Sequence, residues 1–229
     1  MATSVRVTTA SAAQLPKSSQ SVAMELRYAI AAGRFHPHEH LIEEHLASLF
    51  ETNRSVIRSA LAILEQEGLI VRERNRGARV KALAPEAATE LFEVRAVLEG
   101  LIARHAAMRI DDAGVSVLTK IVARMHEFER ADDFRGYVQA NGDFHRAIAE
   151  IAKHTAASRH LDVIQSQSIR YQFRSVVYRG RITESLAEHE AILAALEQRD
   201  PDAAERMTRH HVERIGDVLR QISPIELLA

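Results

Sequence analysis

The stretch "RSVIRSALAILEQEGLIVRERNRGARVKAL", residues 54–83, changes its hydrophobic period halfway along. Its first half places Ile57, Leu61 and Leu64 on one helical stripe and stops at Gly68, the residue type that most often closes a helix. Its second half alternates apolar and charged residues on either side of "NRG", which is a hairpin signal. Upstream, "SVAMELRYAIAAGRF" carries Val22, Leu26, Ala29 and Ile30 on one stripe before Gly33, and "LIEEHLASLFE" reads as a second, shorter amphipathic helix. Thr52 and Asn53, both good capping types, stand between that helix and the third. Three helices followed by a β-hairpin make a winged helix-turn-helix.

The charges suit that reading. A recognition helix offers its N-terminal residues to the major groove of DNA, and here these are Asn53, Arg54, Ser55 and Arg58. Arg54 and Arg58 share one face, and arginine suits guanine edges and phosphates best. The wing holds Arg72, Arg74, Arg76, Arg79 and Lys81 against one acid, Glu73. The plain alternative is a set of solvated charges on a surface hairpin. Residues 1–83 hold 11 Lys and Arg and 8 Asp and Glu, whereas residues 84–229 hold 19 and 23. A mildly basic first third beside an acidic remainder suggests two modules, the basic one facing an anion. His36, His38, His40 and His45 also cluster, but alternating histidines in a turn more often mean exposed side chains than a metal site.

The 229-residue chain has no cysteine, so disulfides and thiolate metal sites are excluded. No apolar run is long enough to span a bilayer. The start, "MATSVRVTTASAAQLPKSSQ", lacks the apolar segment of a secretory signal, and its Ser, Thr and Ala content suggests a flexible tail over residues 1–16. A cytoplasmic protein is expected, with a DNA-binding module at 17–83 and a second module at 84–229. From Pro85 onward there is no strand pattern. The periodicity predicts helices at 85–109, 111–130, 133–153, 156–179, 182–198 and 201–222, which must bury their stripes against one another as an antiparallel bundle. The expected fold class is therefore mostly α.

Within that bundle, "NGDFHRAIAE" sets Asn141 and His145 one turn apart on a stripe with Val138, Ile148 and Ala152. His189 falls on a stripe with Leu186 and Leu196, and His211 on one with Ala204, Thr208, Ile215 and Val218. His210 shares its stripe with Arg206, Arg214 and Asp217 and points outward. Burying one neutral imidazole needs a hydrogen bond or two, but burying three is costly unless they share a partner. A divalent cation is the cheapest shared partner, and Asn141 could add an amide oxygen. Arg95 lies on an inward stripe with Leu91, Leu98 and Ile102, and wants a carboxylate, either from an organic-acid ligand or from Glu99 one turn on. Arg170, Tyr171 and Arg174 are candidates for the same pocket wall.

Two family resemblances gather at these residues. Residues 20–81, through "LR.AI..G", "HLA", "R.ALA.LE.EGL" and "NRGA.V" in register, resemble the DNA-binding domain of GntR-family transcription regulators. The resemblance implies operator contacts from Asn53, Arg54, Ser55 and Arg58, and a wing led into the minor groove at Arg76 and Gly77. The usual "PG" turn reads "PHEH", with His38 in the glycine position, and the usual "VSRTPVREAL" reads "TNRSVIRSAL". Most of residues 87–221, through "LFEVRAVLEGLIAR", "FHRAIAE" and "EHEAILAALEQRDPDAAERM", resembles the FCD domain, the helical effector domain of the FadR subgroup. Its metal-binding members use Asp-x-x-x-His and two later histidines. Carried over, that implies Asn141, His145, His189 and His211, with Asn141 replacing the aspartate. His154 stands where the domain usually has the Asn of "GN".

The expected function is a homodimeric, non-enzymatic regulator that binds double-stranded operator DNA. It is expected to act as a repressor released by a small carboxylate effector bound near a divalent metal, Zn or Ni. Two alternatives stand beside it: the same regulator with a metal-free bundle serving dimerisation, and a metal-dependent hydrolase using the same histidines.

Overall fold

The computed structural model describes residues 17–73, 77–178 and 180–221. The expected tail at 1–16 lies outside them, as do Arg74 and Arg76 of the wing. The element order is α1 (Ser19–Ala31), β1 (His40–Leu41), α2 (Glu43–Leu49), α3 (Arg54–Gln66), β2 (Ile70–Glu73), β3 (Gly77–Val80), α4 (Pro85–Ala107), α5 (Asp112–Arg130), α6 (Phe134–Ala152), α7 (Thr155–Val177), α8 (Arg181–Glu197) and α9 (Pro201–Gln221).

The first three helices close on a core of Leu26, Ile30, Leu46, Ile57, Leu61 and Leu64, the stripes read from the sequence. Asn53 starts α3 by accepting a hydrogen bond from the Val56 N–H at 2.9 Å, which satisfies one of the donors a helix start leaves open. The hairpin is present but is not alone. Strands pair antiparallel in the order β1-β3-β2, and Leu41 of the expected second helix instead sits opposite Ala78. That places the start of the sheet before α2 and shortens the helix to seven residues.

The turn into β1 explains one departure in sequence. His38 has φ 67°, in the left-handed region that costs a side-chain-bearing residue roughly 1–2 kcal/mol and glycine little. Its N–H still reaches Val80 O at 2.9 Å, so sheet pairing holds the turn in place. Gly77 opens β3 at φ 82° with open space around it.

The six remaining helices agree with the sequence expectation to within two residues at their ends and pack as a bundle with α4 lying along α9. Its core runs through Leu118, Met125, Tyr137, Phe144, Ile148, Ile192 and Leu196. His154 caps α7, its Nδ1 accepting from Ala157 N–H at 3.2 Å, so an imidazole does the capping work of the asparagine it replaces. Among the described residues no helix is long and apolar enough to cross a membrane.

Candidate metal centre and nucleic-acid interface

Helices α6, α8 and α9 bring His145, His189 and His211 together, with one ring nitrogen of each inside a group 4.8 Å across. His189 and His211 are buried, and the His145 side chain is 11% exposed. Asn141, one turn before His145, is buried on the same helix. His210 is exposed, as its stripe requires.

Each ring has an acceptor at its Nδ1. The backbone carbonyl of Ser185 lies 2.6 Å from His189 Nδ1, and Glu188 Oε2 lies 2.6 Å from His211 Nδ1. Glu99 Oε2 lies 3.2 Å from His145 Nδ1, off the line of a full hydrogen bond. At His189 and His211 the acceptor keeps the proton on Nδ1 and leaves Nε2 as a lone pair. His189 Nε2 then faces His145 Nε2 at 3.3 Å, a separation at which two lone pairs repel unless a proton or cation lies between them. Burial pushes the affinity of His189 and His211 for a proton well below that of an ordinary imidazole, and the neighbouring histidines push it further. A metal ion resolves the conflict: two nitrogens each about 2.0–2.1 Å from a tetrahedral zinc stand about 3.3 Å apart. Carboxylates and carbonyls behind ligating imidazoles are the usual way of fixing tautomer and ring orientation. The three residues His145, His189 and His211 therefore fit a borderline divalent cation.

Sequence reasoning did not find these acceptors. Glu188 is fixed by a two-pronged pairing from Arg181, at 3.0 and 2.6 Å, across two turns of α8. A buried Arg seven residues before a Glu that adjoins a histidine was the available signal. The Glu99 carboxyl would be raised by burial, but the Arg95 guanidinium and His145 overcome that and hold it well below the usual carboxylate range.

The four candidates for an acid-binding wall part company. Arg95 is 1% exposed and gives its Nε to Glu99 Oε1 at 2.9 Å, with Nη1 donating to Ser168 Oγ at 3.3 Å and Gln172 Oε1 at 3.1 Å. The internal Arg95–Glu99 pair is thus formed. Arg170 and Tyr171 instead line a groove shared with Leu69, Val80 and Lys81 of the winged module, and the Tyr171 hydroxyl donates to Leu83 O. Arg174 is half-buried in the last turn of α7. Thr208, on the His211 stripe, has a buried hydroxyl with no hydrogen-bond partner among the described residues, so a polar atom near this stripe still lacks a complement.

On the winged module, Asn53, Arg54, Ser55 and Arg58 are exposed at the start of α3. Arg58 Nε lies 3.0 Å from Glu43 Oε2 on α2, with Arg54 Nη2 at 3.8 Å from the same oxygen, so one carboxylate holds both arginines side by side. Arg72 folds back onto the recognition helix, donating to Arg58 O at 2.8 Å and pairing with Glu65 at 3.3 Å. Lys81 lines the groove against α7 instead of extending the wing. Arg76 lies outside the described residues.

Comparisons with known proteins add family and fold. A family model described as the FCD domain matches residues 90–214, and one described as bacterial regulatory proteins, gntR family, matches residues 18–80. The HTH-type transcriptional repressor NanR of Klebsiella aerogenes is 28% identical over 234 residues, covering 90% of this chain and 86% of the relative. The Uxu operon regulator of Haemophilus influenzae is 26% identical over 207 residues, covering 80% and 74%. Among solved structures, E. coli McbR/YncC superposes with a TM-score of 0.77 at 16% identity, over 89% of this chain and 97% of that one.

Proposed function

The chain belongs to the GntR family of bacterial regulatory proteins and carries an FCD domain, and from that premise we propose a dimeric repressor that leaves its operator when a small organic acid binds beside a divalent metal in the bundle. Its action is cytoplasmic, with residues 17–83 binding DNA and residues 84–229 binding metal, effector and the second copy. The observation that carries the metal reading is the convergence of three inward imidazoles, two of them buried, whose Nδ1 atoms all face acceptors.

When bound with five- or six-coordination, zinc or nickel would supply open positions that a carboxylate could fill. The chain's own residues do the rest. His145, His189, His211 and Asn141 hold the ion, and Glu188 and the Ser185 carbonyl keep His211 and His189 in the right tautomer. Arg95 and Thr208 border the site, Arg174 stands as a further effector contact from α7, and Arg170 and Tyr171 serve the seam with the winged module instead. At the operator, Arg54 and Arg58 read base edges or phosphates, Asn53 and Ser55 contact the backbone, and Arg76 and Gly77 lead the wing into the minor groove. Repression is the sign that the relative named as a repressor supports.

Dimerisation is supported by α4, whose outer stripe exposes Val94, Val97 and Met108. The helix is acidic at its start, with Glu86, Glu90 and Glu93, and Arg109 just past its end is basic, while Arg104 pairs with Asp202 and Glu205 of α9. An antiparallel two-fold pairing of this face sets acid against base and apolar against apolar. Glu99 and Glu188 are both committed to arginines, which supports regulation over hydrolysis: neither stands as a general base.

Two measurements test this reading. Elemental analysis of purified protein is expected to find one divalent metal per chain, and about tenfold or weaker retention in His189→Ala; protein that cannot be loaded would leave only the dimerising, metal-free bundle. In gel shifts on DNA from its own promoter region, wild type is expected to prefer that DNA over competitor. Arg54→Ala should lose roughly 1–3 kcal/mol of that binding. Equal binding to both DNAs would sink the regulator's operator specificity.

A further inference from the structure

Helix α7 has two faces. On one, Ile169 packs into the core of the winged module, and Phe173 meets the ring of Tyr28 on α1 edge-on at 6.0 Å. The neighbouring Gln167 lies so close to Gly68 that a Cβ there would stand 2.8 Å from its Nε2. Gly68 itself is held at φ 75° in the turn that closes α3. On the other face, Leu161 and Val176 belong to the bundle core, while Ser168 and Gln172 receive the Nη1 of Arg95.

That second face is one step from the histidines. Arg95 spends Nε and Nη2 on Glu99 Oε1, at 2.9 and 2.8 Å, and Nη1 on α7. Glu99 turns its other oxygen to His145. The guanidinium is planar, so its two sides cannot rotate independently. Both charges are 3% exposed or less, so water is not at hand to replace a contact that is pulled apart. A shift of the His145 ring must therefore either carry Glu99, Arg95 and α7 with it or open the buried 3.2 Å contact between His145 Nδ1 and Glu99 Oε2.

We propose that Glu99 and Arg95 are positioning residues that couple the histidine cluster to α7, and that α7 delivers the displacement to the Gly68 turn behind the recognition helix. The inference rests on the metal reading above and adds the route by which the site reaches the DNA-binding surface. Gly68 is the receiving point because Gln167 comes nearer to it than a side chain there would allow, at a turn held at φ 75°.

The test is hydrogen exchange on the full chain, with and without zinc ion as the only added ligand, with metal content measured in parallel. In wild type, zinc is expected to change exchange of backbone amides over residues 66–71 and 161–173 by roughly fivefold or more. Gln172→Met, alone and combined with Ser168→Ala, should bind zinc and keep the zinc-free exchange pattern, but lose the zinc-dependent change over 66–71; both leave the Arg95–Glu99 pair in place. A zinc-loaded wild type with no change over 66–71, or a change that survives in the variants, overturns the coupling. Wild type that takes up no zinc overturns the metal reading instead, and metal content alone distinguishes that failure.

Discussion

At the scale of single residues, the histidine cluster is a balance of protonation. His189 and His211 resist protons because they are buried beside other imidazoles, whereas the unfolded chain takes protons at the ordinary value of 6.5. Below that pH the unfolded state binds more protons than the native state, so acid favours unfolding. Glu99 adds to this lower down, since a carboxyl held below its usual range stabilises the native state above that range and stops doing so in acid. Metal-free protein should lose melting temperature steadily from about pH 7 to about pH 5, and zinc should restore it at the upper end of that window. A midpoint flat across the window would show that these imidazoles are not neutral in the fold. The helical period alone placed all three histidines inward. It could not place Glu188, Glu99 or the Ser185 carbonyl behind them, because a partner's identity depends on which helices become neighbours and at what height.

At the scale of elements, the helices of the described residues were legible from stripes and stops, because each buries one face and the period records it. The two-residue strand β1 was not, since its pairing is made by β3 nearly forty residues later. The glycine-to-histidine change in the turn before it was visible, but its meaning, a left-handed backbone at His38, needed the dihedral. Arg170, Tyr171 and Lys81 were read by type as effector and DNA contacts, yet they share one groove between α7 and the winged module. Periodicity assigns a face to a residue and says nothing of which element covers it. Helix α4 carries the element-scale prediction. Val97 is 52% exposed at the middle of its outer stripe. In a two-fold dimer across that face, Val97→Asp would place two carboxylates opposite each other at an apolar centre. Sedimentation equilibrium should show association weakened by roughly a hundredfold or more, an interface loss of about 3 kcal/mol. An unaltered dimer at micromolar concentration would move the interface elsewhere.

At the scale of the whole molecule, α7 belongs to two cores at once. Ile169 fills a place among the apolar side chains of the winged module, and Leu161 and Val176 fill places in the bundle. Neither set of side chains is complete when the other is unfolded. The two modules should therefore melt together, and scanning calorimetry is expected to record one transition whose calorimetric and van't Hoff enthalpies agree per cooperative unit. Two separated transitions would mean that each module stands by itself. The same sharing bears on how such chains can be recombined. A winged module cut off after Leu83 and joined to a foreign effector module would be left with an open apolar seat where Ile169 was, and with Gly68 facing nothing of the shape of Gln167. Exchange of parts between regulators would succeed only where the new partner brings a helix of its own to fill that seat.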